Sequence, residues 1–198
     1  MVINMIDDKE FYEGCLDSQL IFDGRVLHVY KDRISLPNGG TSTREYCRHG
    51  GAVSVVPLTK EGEVICVRQY RYAVSEVVLE IPAGKLDGPE EDHTEAALRE
   101  LSEETGYTAA RITPIGELLT SPALLSEVIY MYLAEDMTPG DTHPDPDELL
   151  DIVKIPLEDM VDRIIRGEIT DSKTQAAVLK VWAMKQRSDA TASAEAAT

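Results

Sequence analysis

The sequence predicts an α/β fold in which a strand-rich first half feeds a helix, further strands follow, and two helices close the chain. Three observations carry this. From Val26 to Ile81, short β-branched segments alternate in polarity and are broken by turn residues, the pattern of strands. Between Asp92 and Gly106 the apolar positions instead recur at helical spacing. After Pro156 that spacing returns in LEDMVDRIIRGE and SKTQAAVLKVWAMK. At 198 residues the chain fits one domain, or one domain with an arm, and can bury a real core.

Taken in order, VLHVYKDRISL and TSTREYCRH read as strands joined at PNGG. Asn38-Gly39 is a hairpin signal because both central positions of the favoured two-residue turn need positive φ. AVSVVPL and EVICVRQYRY continue the sheet across TKEG, and LEIPAGKL ends it in a proline and a glycine. Asp92 is a helix cap, with Ala96, Ala97 and Leu101 on one side and Gly106 as a left-handed stop. Strands return at ARITPIGEL, EVIYMYLAE and LDIVKIPL. Asp171 and Ser172 are candidate caps for the last helix. Between Glu135 and Glu148 the acidic, proline-broken EDMTPGDTHPDPDE reads as a loop, functional or mobile rather than structural. The expected organisation is an N-terminal β arm over 1–49, a main domain over 50–188, and a small, polar, disordered tail over 189–198.

A net charge of −17 repels phosphate backbones and anionic membranes, so nucleic acid and lipid are poor partners. It also raises the prospect that some carboxylates bind cations. Cys15, Cys47 and Cys66 are odd in number and lack metal-type spacing, which points to reduced thiols and a cytoplasmic setting. The N-terminus lacks a signal-peptide pattern, and no apolar run approaches membrane-spanning length.

The chemistry concentrates in RELSEETGY. At about 100° per residue, Glu100, Glu103 and Glu104 share roughly a 100° arc of one helix face, with Arg99 beside Glu103. Like charges at that spacing repel unless something neutralises them. A hard divalent cation does so, because it takes oxygen ligands and is satisfied by a few carboxylates plus a substrate phosphate. Spacing alone favours a solvated acidic turn instead, with an Arg99–Glu103 pair worth a few tenths of a kcal/mol.

Context decides between them. The strand ending Pro82-Ala83-Gly84 leads through a short loop into this helix, and AGKLDGPEEDHTEAALRELSEETGY resembles the Nudix hydrolase signature. Between Gly84 and Glu91 the chain has one residue more than the usual spacing; with Glu91 rather than Glu90 as the match, the surplus falls in the loop. The resemblance implies a Nudix α/β/α sandwich with a mixed sheet and an N-terminal antiparallel β arm. It implies Glu100 and Glu104 as metal ligands and Glu103 as ligand or proton handler. Arg99 would orient Glu103, and the Ala83 carbonyl would complete the set. Mg²⁺ is the expected ion, with Mn²⁺ possible.

Further segments, among them VRQYRY, LEIPAGKL, TSPALLSEVIYMYLAE and GEITDSKTQAAVLKVW, resemble ADP-ribose pyrophosphatases within that family. Pro122 matches a proline associated with ADP-ribose hydrolysis, followed here by Ala123 where glycine is usual. Arg71 resembles the arginine that holds a substrate phosphate, and a guanidinium fork suits that task. Arg44 and Glu45 fall in the segment that in this group reaches across a homodimer toward adenine; a surface cross-strand pair is the other reading. Glu148 aligns with the general base, with Asp147 and Glu103 as rivals. The implied reaction is Mg²⁺-dependent hydrolysis of ADP-ribose to AMP and ribose 5-phosphate by a homodimer. The alternatives are another nucleoside diphosphate sugar, such as GDP-mannose or ADP-glucose, or a non-catalytic nucleotide-sensing domain.

Overall fold

The computed structural model describes residues 8–143 and 149–196. Contacts within the chain divide it into two units, one of residues 1–49 with 121–127, the other of residues 50–120 with 128–198.

In the first unit, a 3-10 turn at Asp8–Phe11 precedes β1 (Gly14–Asp23), β2 (His28–Ser35) and β3 (Thr41–Arg48), which form an antiparallel sheet in the order β1-β2-β3. β1 was not foreseen: its register slips between Cys15 and Asp17 and again between Leu20 and Phe22, which breaks the period-two pattern a strand should show. It leaves Leu16, Leu20, Ile21 and Phe22 exposed. The β2–β3 hairpin forms around Asn38-Gly39, but not with the expected turn. Only Gly39 has positive φ, at 83°, and Gly39 N–H donates to Leu36 O at 3.0 Å. Pro37 explains the difference, since its fixed negative φ suits the first corner of a type I turn, which Gly39 then closes as a left-handed bulge. Residues 121–127 attach beside β3, where Cys47 N–H donates to Leu124 O at 2.8 Å and Ser126 N–H to Cys47 O at 3.0 Å.

The second unit holds β4 (Ala52–Pro57), β5 (Glu63–Arg71), β6 (Glu76–Glu80), β7 (Ala83–Lys85), α1 (His93–Thr105), β8 (Tyr107–Leu119), β9 (Val128–Pro139), β10 (Leu150–Pro156), α2 (Leu157–Ile165) and α3 (Ser172–Ala196). They build two sheets, β7-β4-β9-β8 and β10-β5-β6, with β4 and β9 parallel and the other pairs antiparallel. The chain crosses between sheets at Ile81-Pro82. Pro82 has no N–H to give a ladder, while its carbonyl accepts from Val55 N–H at 2.9 Å.

β4 is buried along its whole length, which is why AVSVVP lacks strand alternation. Val53 and Val55 face one way and, with Tyr132 and Ala134 of β9, pack on Ala96, Ala97 and Leu101 of α1. Ala52 and Val56 face the other way and, with Ile129, Met131 and Leu133, pack on Met160, Val161, Ala177, Val178 and Val181 of α2 and α3. One helix on one face and two on the other make this unit an α/β/α sandwich.

Two expectations need correction. Glu135 to Pro139 are not loop but the end of β9, paired with β8 as far as Tyr107↔Pro139; the acidic composition there is met by Arg111, which pairs with Glu135 and with Asp136. And α3 runs to Ala196, through residues expected as a disordered tail, where alanine, the strongest helix former, recurs. Among the described residues no helix is long and apolar enough to cross a membrane.

Candidate active site

α1 sets the site because both its ends are fixed. The Asp92 carboxylate accepts from Thr94 N–H at 2.8 Å and Glu95 N–H at 3.0 Å. Gly106, at φ 74°, ends the helix by donating to Ser102 O at 2.8 Å. Between those ends Ala96, Ala97 and Leu101 bury one stripe, and this rotation carries Glu100 and Glu104 toward β7.

There the two carboxylates meet backbone. Glu104 is 4% exposed and accepts the Ala83 N–H at 3.1 Å. The Glu100 carboxylate lies against Gly84, where any Cβ would collide with it. Glu103, one step outward, keeps 41% of its side-chain surface in solvent. A solvated acidic turn would leave all three in water, and a buried carboxylate is costly without compensation. Glu104 therefore excludes the plain surface reading.

Arg99 ties the group together. Its Nη1 donates to Glu100 at 2.8 Å and to Glu103 at 3.0 Å, its Nε to Glu91 at 3.2 Å, and its Nη2 to the Lys85 carbonyl at 3.3 Å. Desolvation alone would lower the guanidinium's pKa, but Glu91, Glu100 and Asp87 outweigh it, so Arg99 stays cationic. Glu91 also accepts the Asp87 N–H at 2.6 Å, which with Arg99 holds its carboxyl below the usual range. It is Glu91, not the exposed Glu90, that faces Arg99.

Among the described residues no three His, Cys, Asp or Glu side chains converge as a ready-made metal cage. Their present partners explain it: Glu100 and Glu103 are held by Arg99, and Glu104 by a backbone donor. The donor set nonetheless fits a hard divalent cation. Every candidate atom is oxygen, the side chain missing at Gly84 is what admits the Glu100 carboxylate, and Mg²⁺ takes few protein ligands.

Beside this group, Arg71 at the end of β5 donates from Nε and Nη2 to the two oxygens of Glu80, both at 2.7 Å. Glu80 raises the Arg71 guanidinium's pKa, and Glu104 adds to it, which places Arg71 within the field of the α1 carboxylates. Nη1 makes no hydrogen bond among the described residues, so one edge of the fork is committed to Glu80 and the other can take an anion.

Glu80 and Lys173 were not anticipated. Glu80 is 2% exposed and pairs on its second oxygen with Lys173, which itself donates to Asp171 at 3.0 Å. Two signals were present in the sequence: a lone acid in the apolar run VVLEIP, and a lysine in the first turn of a helix, where the helix dipole disfavours cations.

Of the other expected site residues, two are not described and the rest belong to the first unit. Glu148 and Asp147 fall outside the described residues. Arg44 and Glu45 belong to the first unit, where Arg44 binds Glu13 and Glu45 meets Lys31 at 3.1 Å. As neighbours on β3 they point to opposite faces of the sheet. Pro122 and Ala123 sit in the first unit's exposed turn at 121–124.

Comparison with known proteins follows the same lines. Residues 48–176 match the NUDIX domain. The chain is 39% identical over 173 residues to the ADP-ribose pyrophosphatase of Bacillus subtilis, covering 86% of this chain and 92% of that protein. It is 40% identical over 172 residues to the methanol dehydrogenase activator of Bacillus methanolicus, with the same coverage of 86% and 92%. A crystal structure of an ADP compounds hydrolase superposes with a TM-score of 0.78 at 27% identity, over 88% of this chain and 95% of that one.

Proposed function

The chain belongs to the Nudix family of pyrophosphohydrolases, and on that premise we propose that it hydrolyses ADP-ribose to AMP and ribose 5-phosphate using Mg²⁺, with Mn²⁺ as a substitute. Hydrolysis of the pyrophosphate bond of a nucleotide sugar is the reaction its relatives support. The observation that carries the proposal is the α1–β7 junction, where Glu104 is buried on Ala83 and Glu100 is seated on Gly84. Glu100, Glu104, Glu103 and the Ala83 carbonyl would hold the cation. A cation held there would supply charge neutralisation for the diphosphate, polarisation of phosphorus and a lowered pKa for the attacking water.

The chain's own residues do the rest. Arg71 offers its uncommitted edge to a phosphate, a charge-assisted contact that both binds and orients. Arg99 fixes the orientation of Glu100 and Glu103. The proton from water is assigned to Glu148, with Asp147 and Glu103 as rivals; the acceptor must come within about 3 Å of that water. The 1–49 arm is assigned to a homodimer contact, with Arg44 and Glu45 at the adenine end. The exposed apolar side chains of β1 support a second copy as their cover. The free cysteines suit a reducing, cytoplasmic setting.

The cation ligands and Arg71 read only the diphosphate, so another nucleoside diphosphate sugar is the alternative substrate. A phosphatase-coupled assay across ADP-ribose, ADP-glucose and GDP-mannose separates them, with and without Mg²⁺, and is repeated with Glu104→Gln. Turnover of ADP-ribose that needs the cation and falls at least about a hundredfold in the variant is expected. Undiminished turnover in excess chelator, or in the variant, would place the chemistry elsewhere.

A further inference from the structure

Lys173 is an unusual residue to find where it is. It sits in the first turn of α3 and is 8% exposed, yet faces two carboxylates, Glu80 and Asp171. Asp171 is fixed in turn by the helix it caps, accepting from Thr174 N–H at 2.8 Å and from the Thr174 hydroxyl at 2.6 Å. The same Thr174 oxygen accepts the Ile81 N–H at 2.9 Å, one residue beyond Glu80. The start of α3 is thus fastened to Glu80, the last residue of β6, and to Ile81, just before the chain crosses to Ala83 and Gly84 of β7.

The chain of contacts ends on Arg71. Both Glu80 oxygens take Arg71 donors, and one takes Lys173 as well. These groups line a cavity of about 630 Å³ that includes Arg71, Val78, Glu80, Asp171 and Lys173. A stabilising role alone explains it poorly, because a buried ion pair often gains nothing over well-packed apolar side chains. What it does supply is direction. With Lys173 on one side, Glu80 has a single orientation, and the side-on grip of Glu80 leaves the Arg71 fork a single free edge.

We propose that Lys173 is a positioning residue for Arg71, acting through Glu80 so that the free guanidinium edge meets the substrate diphosphate, an inference that rests on the phosphate role given to Arg71 above. Lys173 touches neither substrate nor metal in this scheme.

The test is a double-variant cycle of Lys173→Met and Arg71→Ala. Methionine keeps the apolar stem without the charge. Each protein is read for ADP-ribose kinetics, for ADP affinity by calorimetry and for Tm. Alone, Lys173→Met should raise KM and weaken ADP about tenfold, with kcat changed less. In the Arg71→Ala background it should change neither quantity further, although Tm still falls.

Losses that add in full, or that follow Tm alone, would show a structural tie and overturn the proposal. So would a wild-type protein that fails to bind ADP. If the wild type binds ADP but hydrolyses no nucleotide sugar, the catalytic reading fails while the affinity cycle still decides the role of Lys173. Should Lys173→Met not fold, Glu80→Gln, which keeps shape and one acceptor, must reproduce the affinity loss and its dependence on Arg71.

Discussion

The Glu100 carboxylate rests on the α-carbon of Gly84, so closely that no side chain could occupy that position without displacing it. Glycine matters here through this contact rather than through backbone conformation, since Gly84 is absent from the positive-φ residues. Gly84→Ala should therefore turn Glu100 away, and if Glu100 holds the cation as proposed, a shift of about an ångström costs on the order of a hundredfold in rate. ADP-ribose kinetics at saturating Mg²⁺, with circular dichroism as the folding control, checks this. Full activity in the alanine variant would mean that Glu100 need not sit where it does.

The helix that carries the carboxylates is anchored by Leu101, fully buried among Val53, Val55, Tyr132 and Ala134. Leu101→Ala should destabilise the fold by about 2–5 kcal/mol, the cost of lost burial plus the cavity left behind. Urea unfolding measures it. A loss under about 1 kcal/mol would show that α1 is not held by this core.

Acid should weaken the protein through Glu80. Burial alone would push its carboxyl up, but Arg71 and Lys173 hold it below the ordinary value near 4.5. The native state then binds fewer protons than the unfolded state, so this stabilisation is complete above the ordinary carboxylate value and is lost as pH falls through the lowered native one. Glu80→Gln removes the titrating group. Tm measured from pH 7 to pH 3 should fall less steeply in the variant than in the wild type; parallel curves would assign the acid sensitivity to other carboxylates.

The three cysteines should separate by reactivity. Burial pushes the Cys66 thiol up to about 12, so it holds almost no thiolate at neutral pH. Cys15 is exposed and Cys47 half-buried. A thiol reagent at pH 8 should label Cys15 and Cys47 in the native protein and Cys66 only after denaturation, as peptide mapping by mass spectrometry would show. Native labelling of Cys66 would contradict its place among Val64 and Met160.

What could be read in advance was what depends on near neighbours in the chain. The carboxylate face of α1 needs only helical periodicity, and Asp92 and Gly106 mark its ends by local chemistry. The Glu80–Lys173 pair spans 93 residues, and nothing local announces which acid a lysine will meet at that distance. β1 is hidden because its two register slips scramble alternation, and the end of β9 because its Glu, Asp and Pro content mimics a loop. The type of turn at Asn38-Gly39 was decided by Pro37, whose ring cannot supply positive φ.

The firm start of α1 at Asp92 has a consequence for insertions and deletions. Between Lys85 and Glu90 the chain can gain or lose a residue and alter the loop and its Asp87 contacts but not the helix register, because the helix begins its count afterward. Past Asp92 a single added residue would swing whatever follows by about 100°, carrying Glu104 off Ala83 and into the core or the solvent. The surplus residue before Glu91 thus sits on the tolerant side of a boundary that the Asp92 cap draws.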